Sequence, residues 1–337
     1  MSGAAAPPPA WETDKEQVCA RLAGRRGFLK ILLKTKDDPF FLRRWIQHHA
    51  RIAGLRNLVV FDNMSSDPGV LALYRAAPKD LLVVRFAGQP DAVHDVARFP
   101  ELYAALRRAC EYFIFLDTDE FLVHIDEHGW RDGFGLLRFI ERNRDIPVFP
   151  TTWLHDEAGS DTRFKIGDDL GELSHGLRWG KPVLRAAAPV EGFINHNIQL
   201  GKSLFGARPP LNLFTLHMVQ LSPAQRIRAN MLKLVARNFI GEGESAQDVA
   251  ARDLSAIEDA NVRAYVAEIR RMLETDEARR AAEEPLPPGH LELRPDRTIA
   301  WHGEAERARL CGFVANADDL AGRILEIPSP DGAAAPA

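Results

Sequence analysis

Tyr112-Phe-Ile-Phe-Leu-Asp-Thr-Asp-Glu-Phe-Leu-Val123 is the stretch from which the fold is read. Five apolar or aromatic residues run without interruption into Asp117-Thr118-Asp119-Glu120, and Phe121-Leu122-Val123 then resumes the apolar pattern. An uninterrupted apolar run this short reads as a buried strand covered on both faces. Three acids at its carboxyl end do not serve the core, because an unpaired buried carboxylate is costly. The carboxyl edge of an open α/β sheet is where such folds place ligands. Two carboxylates one residue apart suit a hard divalent cation, which takes one or two acids together with substrate oxygens. The plain alternative is a strand ending in a solvated acidic turn.

Working outward, the same grammar repeats. Phe28–Leu33 predicts a first strand, followed by the polar Lys34-Thr-Lys-Asp-Asp-Pro39. Phe40–Ala53 carries Phe41, Leu42, Trp45, Ile46, His49 and Ile52 at helical spacing and ends at Gly54. That puts His49 in the core and leaves His48 exposed. Leu58–Phe61 predicts a second strand ending in Asp62-Asn-Met-Ser-Ser-Asp67, and Leu81–Phe86 a third. Helices are expected over 11–22, 70–77 and from Pro100 to Cys110. Strands alternating with helices mean βαβ units and a mainly parallel sheet flanked by helices. Acidic or polar turns after three strands describe one pocket at a single sheet edge.

Beyond Val123 the expectations are a helix over 134–143, one strand over 147–154 and a long polar surface loop over 155–178. Short strands are expected at 181–185, 193–200 and 211–221. Exposed amphipathic helices follow over 223–239 and 246–280. A linker at 285–289 leads to a hairpin over 290–301 and a last helix over 316–327. The domain plan is a leading segment 1–26, a core 27–222, a helical extension 223–284, a hairpin and helix 285–329, and a disordered tail 330–337.

At 337 residues, 46% hydrophobic and 27% charged, the chain has the profile of a soluble globular protein. A net charge of −4 gives no nucleic-acid footprint. Cys19, Cys110 and Cys311 are isolated, which argues against a disulfide framework or a thiolate zinc site and for a reducing, cytoplasmic setting. No stretch approaches the roughly 18 apolar residues of a membrane span, so a lipid-linked substrate is reached from the water side, by peripheral contact. Neither a phosphate loop nor a strand-following Gly-x-Gly-x-x-Gly occurs. A phosphatase of the haloacid dehalogenase type also opens on Asp-x-Asp, but it expects Thr or Val where Phe121 stands. A sugar nucleotidyltransferase expects a Gly-rich loop where Lys34–Pro39 stands.

Residues 28–123 resemble family-2-like glycosyltransferases of the GT-A fold, in the branch grouped as glycosyltransferase family ninety-two. The resemblance rests on Asp37-Asp38, Trp45, His49, Gly54, Asp62-Asn63-Met64-Ser65-Ser66-Asp67 and Asp117-Thr118-Asp119-Glu120-Phe121-Leu122. It continues more loosely through Lys181–Arg185, His196 and His217 to about residue 235. It implies a nucleotide-sugar donor, UDP-linked by preference, and a glycan or lipid-linked hydroxyl acceptor, with inversion at the sugar. Asp38 and Asp62 would then contact the nucleotide, and Asp117 and Asp119 would hold Mn²⁺ or Mg²⁺ against the diphosphate. His217 would be a further metal ligand. Lys181 and Arg185 would bind phosphate, Arg offering a bidentate fork. An acceptor-activating carboxylate is expected in the loop after Trp153, at Asp156 or Glu157. That loop, Trp153-Leu-His-Asp-Glu-Ala-Gly159, departs from the branch's Trp followed by Phe-Gly-Ser, which leaves open a catalytically inactive nucleotide-sugar or glycan-binding module.

Overall fold

Alternation within each apolar run sends its side chains to two separate cores. β1 (Gly27–Thr35), β2 (Leu58–Asp62), β3 (Leu82–Arg85) and β4 (Cys110–Leu116) lie parallel, with β1 between β2 and β4. Leu29, Ile31, Leu33, Val60, Ile114 and Leu116 join the core under α2 (Pro39–Ala53), with the fully buried Trp45. Leu32, Val59, Phe61, Phe113 and Phe115 join the other core, with residues of α1 (Trp11–Ala23) and α4 (Pro100–Ala109). The structure is a computed structural model and describes residues 7–126, 128–157, 159–166, 180–195, 212–241, 243–274 and 290–301.

The first sheet runs β3-β2-β1-β4-β10-β7, with β10 (Val183–Arg185) antiparallel between β4 and β7 (Val148–Phe149). The chain lays down β1, β2 and β3 in one direction and then crosses to put β4 on the far side of β1. The crevice between the carboxyl ends of β1 and β4 is therefore the topological switch point of the sheet. Helices α3 (Pro68–Ala76) and α5 (Phe134–Arg142) complete the layers. α2 is set by its own ends: Asp38 accepts from Phe41 N at 3.1 Å, Pro39 fills the first turn, and Gly54 stops it at φ +79°.

A second, mixed sheet was not foreseen. β5 (Glu120–Asp126), β6 (Gly129–Arg131), β8 (Thr151–Asp156), β9 (Arg163–Ile166), β11 (Leu213–His217), β12 (His290–Leu293) and β13 (Ile299–Trp301) form it in the order β13-β12-β9-β8-β11-β5-β6. The chain enters it three times from the first sheet, after β4, β7 and β10. Asp117-Thr118-Asp119 turns β4 into β5, and Pro150 splits the strand expected over 147–154 into β7 and β8. The polar stretch expected as loop from residue 155 contains β9, which pairs antiparallel with β8. The 290–301 hairpin is present and adds to this sheet through β9 and β12.

From Pro223 the chain is helical, as α6 (Pro223–Ala236), α7 (Ala246–Ala250) and α8 (Ala260–Glu274). The single helix expected over 246–280 is instead α7, a 3-10 turn at Leu254–Ala256 and α8, with Asp253 capping the turn by accepting from Ser255 N. These helices are not merely solvated faces. Leu234, Val249, Val266 and Ile269 are fully buried in a third core of their own. Of the strand expected over 193–200, Phe193 makes one isolated bridge to Asp95, and residues from 196 lie outside the described set. The 285–289 linker, the 316–327 helix, the tail and Cys311 lie outside it too. Among the described residues no helix is long and apolar enough to cross a membrane.

Candidate functional site

The parallel register brings Lys34 and Thr35 of β1 beside the carboxyl end of β4, and Thr118 Oγ1 lies 3.2 Å from Thr35 Oγ1 across the switch point. Asp117 sits between two ammonium groups. Lys34 Nζ is 3.3 Å from its Oδ1, and Lys181 Nζ donates to its Oδ2 at 3.0 Å. Lys34 also bonds Asp91, and Lys181, 1% exposed, bonds Asn195 Oδ1 at 2.5 Å. Burial alone would raise the Asp117 carboxyl, but the two lysines hold it well below the usual range.

Asp119 stands in a different setting. Burial and the neighbouring Asp117 raise its carboxyl, and its Oδ2 lies 3.7 Å from His217 Nε2. His217 is kept neutral by burial; its ring stacks on Trp153 at 4.4 Å, and its Nδ1 is buried without a hydrogen-bond partner. Glu120 is the brace between the sheets. Its Oε2 accepts from Asp117 N at 2.8 Å and its Oε1 from Trp153 Nε1 at 2.7 Å, while burial pushes its carboxyl up to about 8.

A cleft of about 120 Å³ opens beside Thr118 and Asp119. Asp37, Asp38 and Phe41 line one side, Thr118 and Asp119 the base, and Arg226 and Arg228 of α6 the other. Glu268 of α8 aims Arg226, taking its Nε at 2.8 Å and Asn230 Nδ2 at 2.7 Å. Burial raises the Asp38 carboxyl to about 6.

The donor set fits a divalent cation only in part. Asp119 offers a carboxylate and His217 a neutral imidazole, and an octahedral cation completes such a pair with substrate oxygens and water. The expected three-residue set is not assembled, because both Asp117 oxygens are engaged by lysines. Among the described residues no group of three or more His, Cys, Asp or Glu side chains is arranged to hold a metal ion.

Several expected site residues lie elsewhere. Asp62 is 0% exposed, and its carboxylate accepts from Ser65 N at 3.0 Å, Tyr74 Oη at 2.9 Å and Arg85 Nε at 3.3 Å, so it shapes the turn after β2. Arg185 pairs with Tyr112 near the amino end of β4, five residues and roughly 16 Å back along the strand from Asp117. Asp156 is 1% exposed, with both oxygens accepting from Gln220 N at 2.9 and 3.0 Å. Glu157 is engaged by Arg163 at 3.0 Å and His290 at 3.1 Å. Neither is among the residues lining the cleft. His48 is buried rather than exposed, with its Nε2 2.8 Å from Leu122 O, while His49 accepts from Leu122 N at 3.2 Å.

Lys34, Glu120, Trp153 and Arg226 belong to the site and were not singled out. Lys34 stands in the polar turn already marked as part of the pocket, and Glu120 in the acid run itself. Arg226 carries no local signal, because its place depends on how α6 docks.

No protein-family model matches the chain, and no curated protein matches it. Among solved structures it is similar to residues 1–349 of S. aureus TarS in complex with UDP-GlcNAc, at 13% identity over 89% of this chain and 90% of that one, with a TM-score of 0.34. It is also similar to the mannosyltransferase PcManGT from Pyrobaculum calidifontis in complex with GDP-Man and Mn²⁺, at 12% identity over 90% and 86%, TM-score 0.37. The mannosyltransferase Ktr4p from S. cerevisiae matches at 16% identity over 40% and 41%, TM-score 0.24. Likenesses of this size assign no role to any residue.

Proposed function

We propose that the chain is a nucleotide-sugar glycosyltransferase of GT-A type that uses Mn²⁺ or Mg²⁺ and moves one sugar to a hydroxyl on a glycan or lipid-linked glycan. One observation carries the reading. Asp117-Thr118-Asp119 meets Lys34, Lys181 and Arg226 at the switch point of a parallel sheet, beside an open cleft. Arg226 and Arg228 line that cleft and offer a diphosphate fixed cations. Lys34 and Lys181 hold Asp117 in place, and Arg226 stands ready to neutralise charge that grows on the departing diphosphate. The chemistry a divalent cation supplies when bound at Asp119 and His217 is Lewis-acid neutralisation of the same charge.

In an inverting transfer a carboxylate takes the acceptor's proton. Asp38 is the carboxylate that the cleft offers for this role, since one of its oxygens accepts from Phe41 N and burial brings its pKa to about 6. Asp156 would supply that base only if the Gln220 turn opened. UDP is the favoured nucleotide, and a reducing, cytoplasmic setting suits the unpaired thiols of Cys19 and Cys110.

The second reading, a nucleotide-sugar-binding module without turnover, draws support from the burial of Asp156 and the engagement of Glu157. Calorimetry with UDP and GDP, with and without Mn²⁺, tests the donor site on wild type and Asp119→Ala. Metal-dependent binding lost in the variant is expected, and failure of both nucleotides to bind sinks the proposal. Turnover lost in Asp38→Asn with UDP affinity kept would separate the enzyme from the binding module.

A further inference from the structure

A second cleft, of about 320 Å³, lies beside the first along the same helix. α2 puts Asp38 and Phe41 in the donor cleft, then Arg44, Gln47 and Arg51 in the second, over a rise of roughly 20 Å. The opposite wall is equally continuous, with Val219 lining the first cleft and Met218 the second. Phe41 of the first cleft packs on Phe121 of the second, ring centroids 6.5 Å apart, so one aromatic pair stands between them.

The lining of the second cleft differs in kind. Phe121, Leu216, Met218 and Leu293 supply apolar surface, and Trp130 stands among them with its Nε1 donating to Arg294 O at 3.0 Å. Each lining arginine has a carboxylate partner. Arg44 is 3.5 Å from Asp161, and Arg51 is 2.8 Å from Asp132, which also pairs with Arg297, whose guanidinium lies 4.3 Å over the Trp130 ring. Among the described residues no lining cation is left without a counter-charge, although Asp132 serves two arginines at once. A phosphate or carboxylate ligand calls for an unpaired cation, whereas paired guanidinium and carboxylate groups present donors and acceptors side by side. Apolar and aromatic surface rimmed by such groups suits a neutral polyhydroxylated ligand.

We propose that this second cleft seats the acceptor, a neutral saccharide lying along α2 with its reactive hydroxyl toward Asp38 and Asp119. Arg44 and Asp161 face each other across the seat and would exchange their mutual contact for hydroxyl groups. The proposal rests on the transferase reading for its direction, but its binding component stands by itself.

The test uses the full chain on an array of neutral and anionic oligosaccharides, followed by calorimetry with the strongest neutral and anionic binders. Wild type is compared with Arg44→Ala/Gln47→Ala, and UDP with Mn²⁺ is titrated into both. The expected result is binding of a neutral oligosaccharide that weakens by about tenfold or more in the double variant while UDP affinity holds. Binding of anionic glycans alone, neutral binding indifferent to the double variant, or no saccharide binding with UDP binding intact would overturn it. Saccharide binding at this cleft with no nucleotide binding in wild type would sink the transferase reading and leave the saccharide site standing. Thermal melting of the variant guards against misfolding, and Asp161→Asn, which keeps the shape of the rim, should weaken the same saccharide.

Discussion

Lys181 is a buried ammonium whose value lies in what it does to Asp117. Removing it as Lys181→Met strands one side of that carboxylate. The expected loss in urea unfolding is roughly 2 kcal/mol, less than the 3–5 of a fully buried pair because Asp117 stays 31% exposed. UDP affinity should fall with it, as calorimetry would read. A second residue-scale prediction concerns acid. Burial lowers the His48 imidazole to about 4 from its ordinary 6.5. Its contribution is therefore whole above pH 6.5, where folded and unfolded chains are both neutral, and drains away as pH falls towards 4 and the unfolded chain alone gains a proton. His48→Gln keeps a donor for Leu122 O and removes the titration. It should shrink the acid-induced loss of stability between those pH values by about 3 kcal/mol in urea midpoints. At this scale the acids of the site were legible, because a strand that ends in Asp-x-Asp is a local pattern. The exclusion of Asp62 was not, because its partners Tyr74 and Arg85 lie 12 and 23 residues away.

The strands of the first sheet were legible as elements because each is an unbroken apolar run, and α2 because its spacing, cap and stop agree. The second sheet was hidden by the same rule. Asp117-Thr118-Asp119 and Pro150 each mark a break in an apolar stretch, but nothing local says that the halves on either side belong to different sheets. Where β10 begins, packing leaves no tolerance: a Cβ on Gly180 would lie 1.8 Å from Thr151 O. Gly180→Ala must therefore push the strand entrance, and Lys181 with it, away from β8. Both the thermal midpoint and UDP affinity should drop, whereas a change confined to stability would show that Lys181 is not needed for the donor. The helical segment makes its own prediction. Glu268→Ala frees Arg226 and strands the buried Asn230 amide, so UDP binding should weaken several-fold and the melting midpoint should fall as well, whereas Glu268→Gln, which keeps an acceptor for Asn230, should spare more of the melting midpoint.

Across the whole molecule, distant parts of the chain share one core. Leu291 and Leu293 of the β12–β13 hairpin are 0% and 4% exposed within the cluster that also holds Trp45 and Leu116. Truncation after residue 289 should therefore destabilise the entire chain in a single urea transition rather than release an independent tail. An unchanged urea midpoint in the truncated chain would show the hairpin to be an appendage. The same unity bears on motion. α2 packs on the first sheet through Trp45 and Phe41 and grips β5 of the second through His48 and His49, one on the carbonyl and one on the amide of Leu122. The Leu122 amide proton is thus committed to a side chain on another layer. In deuterium exchange it becomes a reporter of whether the layers part: protection equal to the global unfolding free energy would mean that they open only when everything does, and that any breathing of the donor cleft belongs to α6.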